Sequence, residues 1–119
     1  MHGRKLWVFP DAERPEPGAA PPFGHESVII LNPHPREATV TVTLFFPARE
    51  PILFEVTVAG RRVRCFRTDE PADMGGHPAV IGQQYAIMLS SDVPVVAQYG
   101  RLDVTQANMA FYSTPGYWE

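Results

Sequence analysis

The chain has 119 residues, 45% of them apolar and 19% charged, with a formal net charge of −3 and one cysteine, Cys65. That length suits a single domain with a real core, and the composition is not that of a disordered chain. A membrane-spanning helix is excluded because apolar runs such as Val28–Leu31 fall far short of the roughly 20 residues required, an intrachain disulfide has no second partner, and the acidic balance gives no overall pull toward nucleic acid or anionic lipid.

The opening His2-Gly3-Arg4-Lys5 precedes only Leu6-Trp7-Val8-Phe9 before Pro10. This is shorter than the apolar region of a secretory signal, so it reads as a first short strand and a cytoplasmic protein is expected. Five of the thirteen prolines then fall between Phe9 and Phe23, a spacing that predicts a proline-rich loop over 10–24. From His25 the apolar residues recur with period two, the signature of strands with one buried face. Val40, Val42, Leu44 and Phe46 share a face opposite Thr39, Thr41 and Thr43, and Ile52, Phe54, Val56 and Val58 repeat the pattern after Pro47–Pro51. Ala59-Gly60 turns the chain into Arg61–Arg67. Further strands are predicted over Val80–Ser90, Val93–Asp103 and Asn108–Thr114, with a turn at Ser91-Asp92 and with Pro94 at a strand start or sheet edge. About eight short strands without a long helical pattern predict an all-β protein, an antiparallel β-sandwich formed as one domain by residues 1–119, with a tail at 115–119. The aromatic pair Tyr117-Trp118 in that tail is expected to pack on a neighbour or over the sandwich end.

The chemistry-bearing residues are few. His2, His25, His34 and His77 show no metal-ligand spacing, so neither a metal nor a cofactor is expected. Cys65, beside Arg64, reads as a small core filler in a strand rather than a nucleophile. His25 and Glu26 are adjacent in a strand and point to opposite faces, which excludes a simple acid–base couple. The cluster Arg61, Arg62, Arg64 and Arg67 is either a solvated or ion-paired face or a phosphate contact to DNA. Tyr99, Arg101 and Asp103 share one strand face, where Arg101 either pairs with Asp103 or presents its planar fork to a ligand.

The run Gly24-His25-Glu26-Ser27-Val28-Ile29-Ile30-Leu31-Asn32, then Arg61-Arg62, then Val93-Pro94-Val95-Val96-Ala97-Gln98-Tyr99-Gly100-Arg101-Leu102-Asp103, with Ser113-Thr114 near the end, resembles the sensory rhodopsin transducer family. The resemblance implies a β-sandwich assembled as a cyclic homotetramer, without enzymatic activity, that relays a signal from a membrane photoreceptor or binds a small sugar-like molecule. A carbohydrate-binding accessory module with no rhodopsin partner is the alternative, and a DNA-binding regulator using Arg61, Arg62, Arg64 and Arg67 is a third. The ligand-binding positions it implies are Trp7, His25, Glu26, Asn32, Gln98, Arg101, Asp103 and Gln106, which supply the aromatic face, carboxylates, amides and guanidinium that a polyol or sugar acid needs. The proline-rich loop and Gly75-Gly76-His77 depart from the family pattern.

Overall fold

A computed structural model describes residues 2–119. Its strands are β1 (Arg4–Glu13), β2 (His25–Asn32), β3 (Ala38–Phe45), β4 (Ile52–Val58), β5 (Arg62–Arg67), β6 (Gln84–Asp103), β7 (Ala110–Thr114) and β8 (Tyr117–Trp118), with one short 3-10 turn at Pro71–Met74. Every strand-to-strand ladder is antiparallel. The two layers of the sandwich share β6: its first half pairs with β3 and with β1, its second half with β2 and β7. β4 and β8 extend the first layer and β5 the second.

The interior is built by the period-two alternation. Val40, Val42 and Leu44 of β3 and Ile87 and Leu89 of β6 face Val28 and Ile30 of β2 and Phe66 of β5, all of them buried. Met74 closes the seam from the 3-10 turn, whose start is capped by the Glu70 carboxylate accepting from the Ala72 N–H at 3.3 Å. These buried side chains form one continuous apolar cluster, so hydrophobic burial shared by both layers holds the sandwich closed.

Three expectations are corrected. β1 does not stop at Pro10 but runs to Glu13. Pro10 lies beyond the last β8 pair, at Val8, and within the register shift between Phe9 and Ala12, so its missing N–H removes no ladder bond. Ser91-Asp92 is not a turn, because β6 is one 20-residue strand. Tyr85, Ile87, Leu89, Ser91, Val93, Val95, Ala97 and Tyr99 are all buried, an alternation that passes through Ser91-Asp92 without a change of phase. Pro94 is neither at a strand start nor at an edge; it stands where β6 leaves β3, after the pair Val40–Ser91, and joins β2, from the pair Leu31–Val96. Pro94 itself is unpaired, since on its other side it falls in the register shift between the β1 pairs Leu6–Ser90 and Arg4–Val95, and an unpaired strand position is where proline is tolerated.

The tail returns to its own chain. Leu6 and Glu119 exchange backbone hydrogen bonds at 3.0 Å each, Trp118 lies against Trp7 with ring centres 6.4 Å apart, and the Arg4 guanidinium sits 4.6 Å from the Trp118 ring centre.

Candidate functional site

The alternation of β2 decides the fate of its polar residues. Glu26 and Asn32 lie in phase with Val28 and Ile30, and the strand carries them inward, to 1% and 0% exposure. An interior carboxyl must be saturated with hydrogen bonds. Glu26 accepts from the hydroxyls of Tyr85 and Tyr99, both on β6, and from Thr68 Oγ1 at 2.8 Å. The Tyr99 hydroxyl in turn accepts from the Glu13 N–H at 3.4 Å, so one carboxyl ties β1, β2, β6 and the end of β5 together. Burial first, and then the charge of Glu26, push the phenols of Tyr85 and Tyr99 far above the ordinary tyrosine range.

Asn32 is equally committed. Its Nδ2 donates to the carbonyls of Arg36 and Val58 at 2.8 and 3.1 Å, and its Oδ1 accepts from the His34 N–H at 3.0 Å. Trp7, 5% exposed, donates through Nε1 to the carbonyls of Arg4 and Val95. Trp7, Glu26 and Asn32 thus have their polar atoms engaged by protein partners.

Arg101 and Asp103 are placed differently. They follow Tyr99 on the same face of β6 but lie where the sandwich ends. There they join Asp11 and Glu13 of β1, Arg14 and Glu16 of the following loop, and Thr105 around an open polar cleft of about 460 Å³. The cleft is lined by four carboxylates and two guanidinium groups. Arg14 is partly spent on the Ala79 carbonyl, 2.8 Å away, whereas Arg101 has only a 3.5 Å contact to the Glu13 carbonyl and lies 5.2 Å from the Tyr112 ring centre. The Thr105 N–H and hydroxyl, 2.9 and 2.7 Å from Asp103 Oδ1, hold that carboxyl below the usual aspartate range, with Arg101 adding to the effect. The cleft therefore combines ionised acceptors with one uncommitted, planar set of donors. A structural Arg101–Asp103 ion pair is not among the ion pairs of the described residues.

The remaining predicted positions lie elsewhere. Gln98 is on the outer face of β6, where its Nε2 donates to Ser113 Oγ at 3.2 Å. His25 holds the loop end through a 2.9 Å contact of Nδ1 with the Phe23 carbonyl. Gln106 is exposed beyond β6, outside the residues lining the cleft. In the arginine cluster, Arg67 forms a two-bond contact with Asp69, at 3.0 and 3.1 Å, and Arg64 reaches Asp73 at 3.8 Å. Arg61, with φ +56°, turns the chain and donates its N–H to the His34 carbonyl; it and Arg62 have no ion-pair partner among the described residues. No group of three or more His, Cys, Asp or Glu side chains is arranged for a metal ion among the described residues.

Asp11, Glu13, Arg14 and Glu16 were not singled out from the sequence. The available signal was their charge within a proline-rich segment too long for a simple connection. Tyr85 and Thr68 carried no signal, because they meet Glu26 only through pairings 59 and 42 residues apart.

Residues 2–118 match the family model described as Anabaena sensory rhodopsin transducer. Two solved structures are similar to the chain. One is the crystal structure of Thermotoga maritima 1070, 33% identical over 100% of this chain and 97% of that one, with a TM-score of 0.86. The other is the Anabaena sensory rhodopsin transducer, 30% identical over 82% of this chain and 94% of that one, with a TM-score of 0.71. No curated protein matches the sequence.

Proposed function

The chain belongs to the Anabaena sensory rhodopsin transducer family, and from that premise we propose that it is a non-enzymatic binding and signalling module of the cytoplasm. Its polar cleft takes a small sugar-like molecule, and occupancy biases contact with a partner such as a membrane photoreceptor. No helix among the described residues is long and apolar enough to cross a membrane. The observation that carries the reading is the cleft around Arg101 and Asp103, in which carboxylates outnumber guanidinium groups four to two. Carboxylates accept from ligand hydroxyls and the Arg101 fork donates to ring or hydroxyl oxygens. The excess of negative charge favours a neutral polyol over a sugar acid. DNA contact has weaker support, because Arg64 and Arg67 already face Asp73 and Asp69.

A thermal-shift panel of neutral monosaccharides, sugar acids and nucleotides tests this directly. A ligand at ten times its dissociation constant stabilises the fold by about 1.4 kcal/mol, a rise of several degrees in Tm. The rise should occur with a neutral sugar and vanish in Arg101→Ala, whose own unliganded Tm stays near that of the parent. A panel without any response would overturn the sugar reading and leave a protein partner as the cleft's occupant.

We further propose self-association, as the family resemblance implies, through the outer face of the second layer. Val63, Leu31 and Val96 stand side by side there, 64%, 41% and 41% exposed, and the adjoining row holds Ile29, Gln98 and Cys65, which is exposed rather than the core filler expected of it; neither row carries a charged side chain. A second copy of the same face is the occupant that an uncharged, mostly apolar two-row stripe fits. Sedimentation should find an oligomer, a tetramer on the family reading. Val63→Glu, which places like charges across such a contact, should yield monomers with the fold intact. A monomeric parent protein would refute the interface.

A further inference from the structure

We propose that a second pocket, lined by Phe46, Arg49, Ile52, His77, Gln83 and Tyr85, binds a small monocarboxylic acid with a flat or branched apolar body. It has a volume of about 140 Å³ and lies on the far side of the 77–83 segment from the Arg101 cleft. That segment gives His77, Pro78, Ala79, Val80 and Gln83 to this pocket and Ile81 and Gly82 to the other. The two sites share a wall but no lining residue, and the second does not depend on what the first binds.

The floor is apolar and rigid. Leu44 and Ile52 are register partners on β3 and β4, and the Phe46 and Tyr85 rings stack with centres 6.3 Å apart and planes 25° from parallel. Tyr85 is fixed from behind by its hydroxyl on the buried Glu26, so this wall is held in place before any ligand arrives, which lowers the ordering cost of binding.

Of the polar groups lining the pocket, Arg49 and His77 are exposed and Gln83 is half-buried, whereas Leu44 and Tyr85 are buried. The Arg49 guanidinium carbon is 3.8 Å from the Phe46 ring centre, a cation–π contact that restrains the guanidinium over the ring. Among the described residues Arg49 has no carboxylate partner, and only the backbone N–H groups of His77 and Gln83 are hydrogen-bonded, to the Met74 and Val80 carbonyls, which leaves the His77 ring and the Gln83 side-chain amide without partners there. A concavity with a buried apolar floor, one restrained exposed guanidinium and two further polar side chains in its lining matches a ligand that is apolar at one end and anionic at the other. A carboxylate suits the planar, two-bond geometry of arginine. A phosphate monoester would bring a second negative charge against apolar walls with only one arginine to meet it.

Titration of the ¹⁵N-labelled protein with benzoate, and separately with 3-methylbutanoate, followed by amide chemical shifts, tests the proposal. Saturable shifts are expected at residues 44–49 and 77–83, with none from benzamide, the neutral counterpart of benzoate. Arg49→Gln, an exposed position away from the core, should weaken benzoate binding about tenfold or more while leaving Tm unchanged. The proposal is overturned if neither acid gives saturable shifts at millimolar concentration, if benzamide binds as well as benzoate, if Arg49→Gln binds like the parent, or if the shifts map to Arg101 and Asp103 instead.

Discussion

Replacing Glu26 with alanine should destabilise the protein by about 3–5 kcal/mol, the range for breaking a buried charged hydrogen-bond network. The substitution leaves the hydroxyls of Tyr85, Tyr99 and Thr68 without their acceptor in a region with 1% exposure at Glu26 itself. It also opens a cavity where the side chain had been. Glu26→Gln keeps the volume and one acceptor oxygen, but its amide must donate to a tyrosine hydroxyl that now has to turn. A cost of about 1–2 kcal/mol is therefore expected for it. Urea unfolding of the parent and both variants separates the cases, and an alanine variant within about 1 kcal/mol of the parent would show that the hub contributes little. The same network fixes the alkaline limit of the fold. Both phenols titrate far higher in the folded state than the ordinary value near 10. Their contribution is fully present below that pH and is lost above it, because the unfolded chain releases protons that the folded chain retains. Stability should fall by about 1.4 kcal/mol per pH unit for each tyrosine above pH 10. Tyr85→Phe, which has no proton to release, should remove half of that slope.

The strands were legible wherever one face is buried and the other wet. β3 and β4 follow their threonine and valine alternation, and the pairing of β2 with β6 brings together the His25–Asn32 and Gln98–Asp103 segments that the sequence also linked. Ser91-Asp92 misled because serine and aspartate are turn formers in isolation. In β6 the aspartate instead accepts from the Thr39 N–H at 2.8 Å and pairs with Arg36, so its polarity serves the neighbouring strand. The site was legible in part for a related reason. Period two places Arg101 and Asp103 on the Tyr99 face, but it places Glu26 and Asn32 on the Val28 and Ile30 face just as firmly. That second implication turns two polar residues that look like ligand contacts into interior ones. The acidic wall supplied by Asp11, Glu13 and Glu16 lay beyond such reasoning, because it depends on β1 continuing through Pro10.

Asn32 shows how an interior amide differs from a binding residue, and Asn32→Asp tests the difference. The side chain fixes the turn after β2 against the end of β4, with Nδ2 donating to Arg36 and Val58 and Oδ1 accepting from His34. The adjoining β4–β5 turn has little freedom, since a Cβ at Gly60 would run into the Pro35 carbonyl. Asn32→Ala strands two carbonyls and one N–H, and about 2–4 kcal/mol is expected. Asn32→Asp keeps the shape yet replaces the donor with an oxygen facing two carbonyl oxygens at 0% exposure. At neutral pH it should therefore cost at least as much as alanine. Desolvation and the carbonyl dipoles raise the new carboxyl above its unfolded value near 3.9. The penalty is then smallest below that pH, where the protonated acid can donate to one carbonyl, and grows as pH rises through the folded value. Chemical denaturation of Asn32→Asp at pH 4 and pH 7 reads this directly. A variant as stable as the parent at both values would mean that the amide does not hold the turn, and would return Asn32 to the set of side chains available to a ligand.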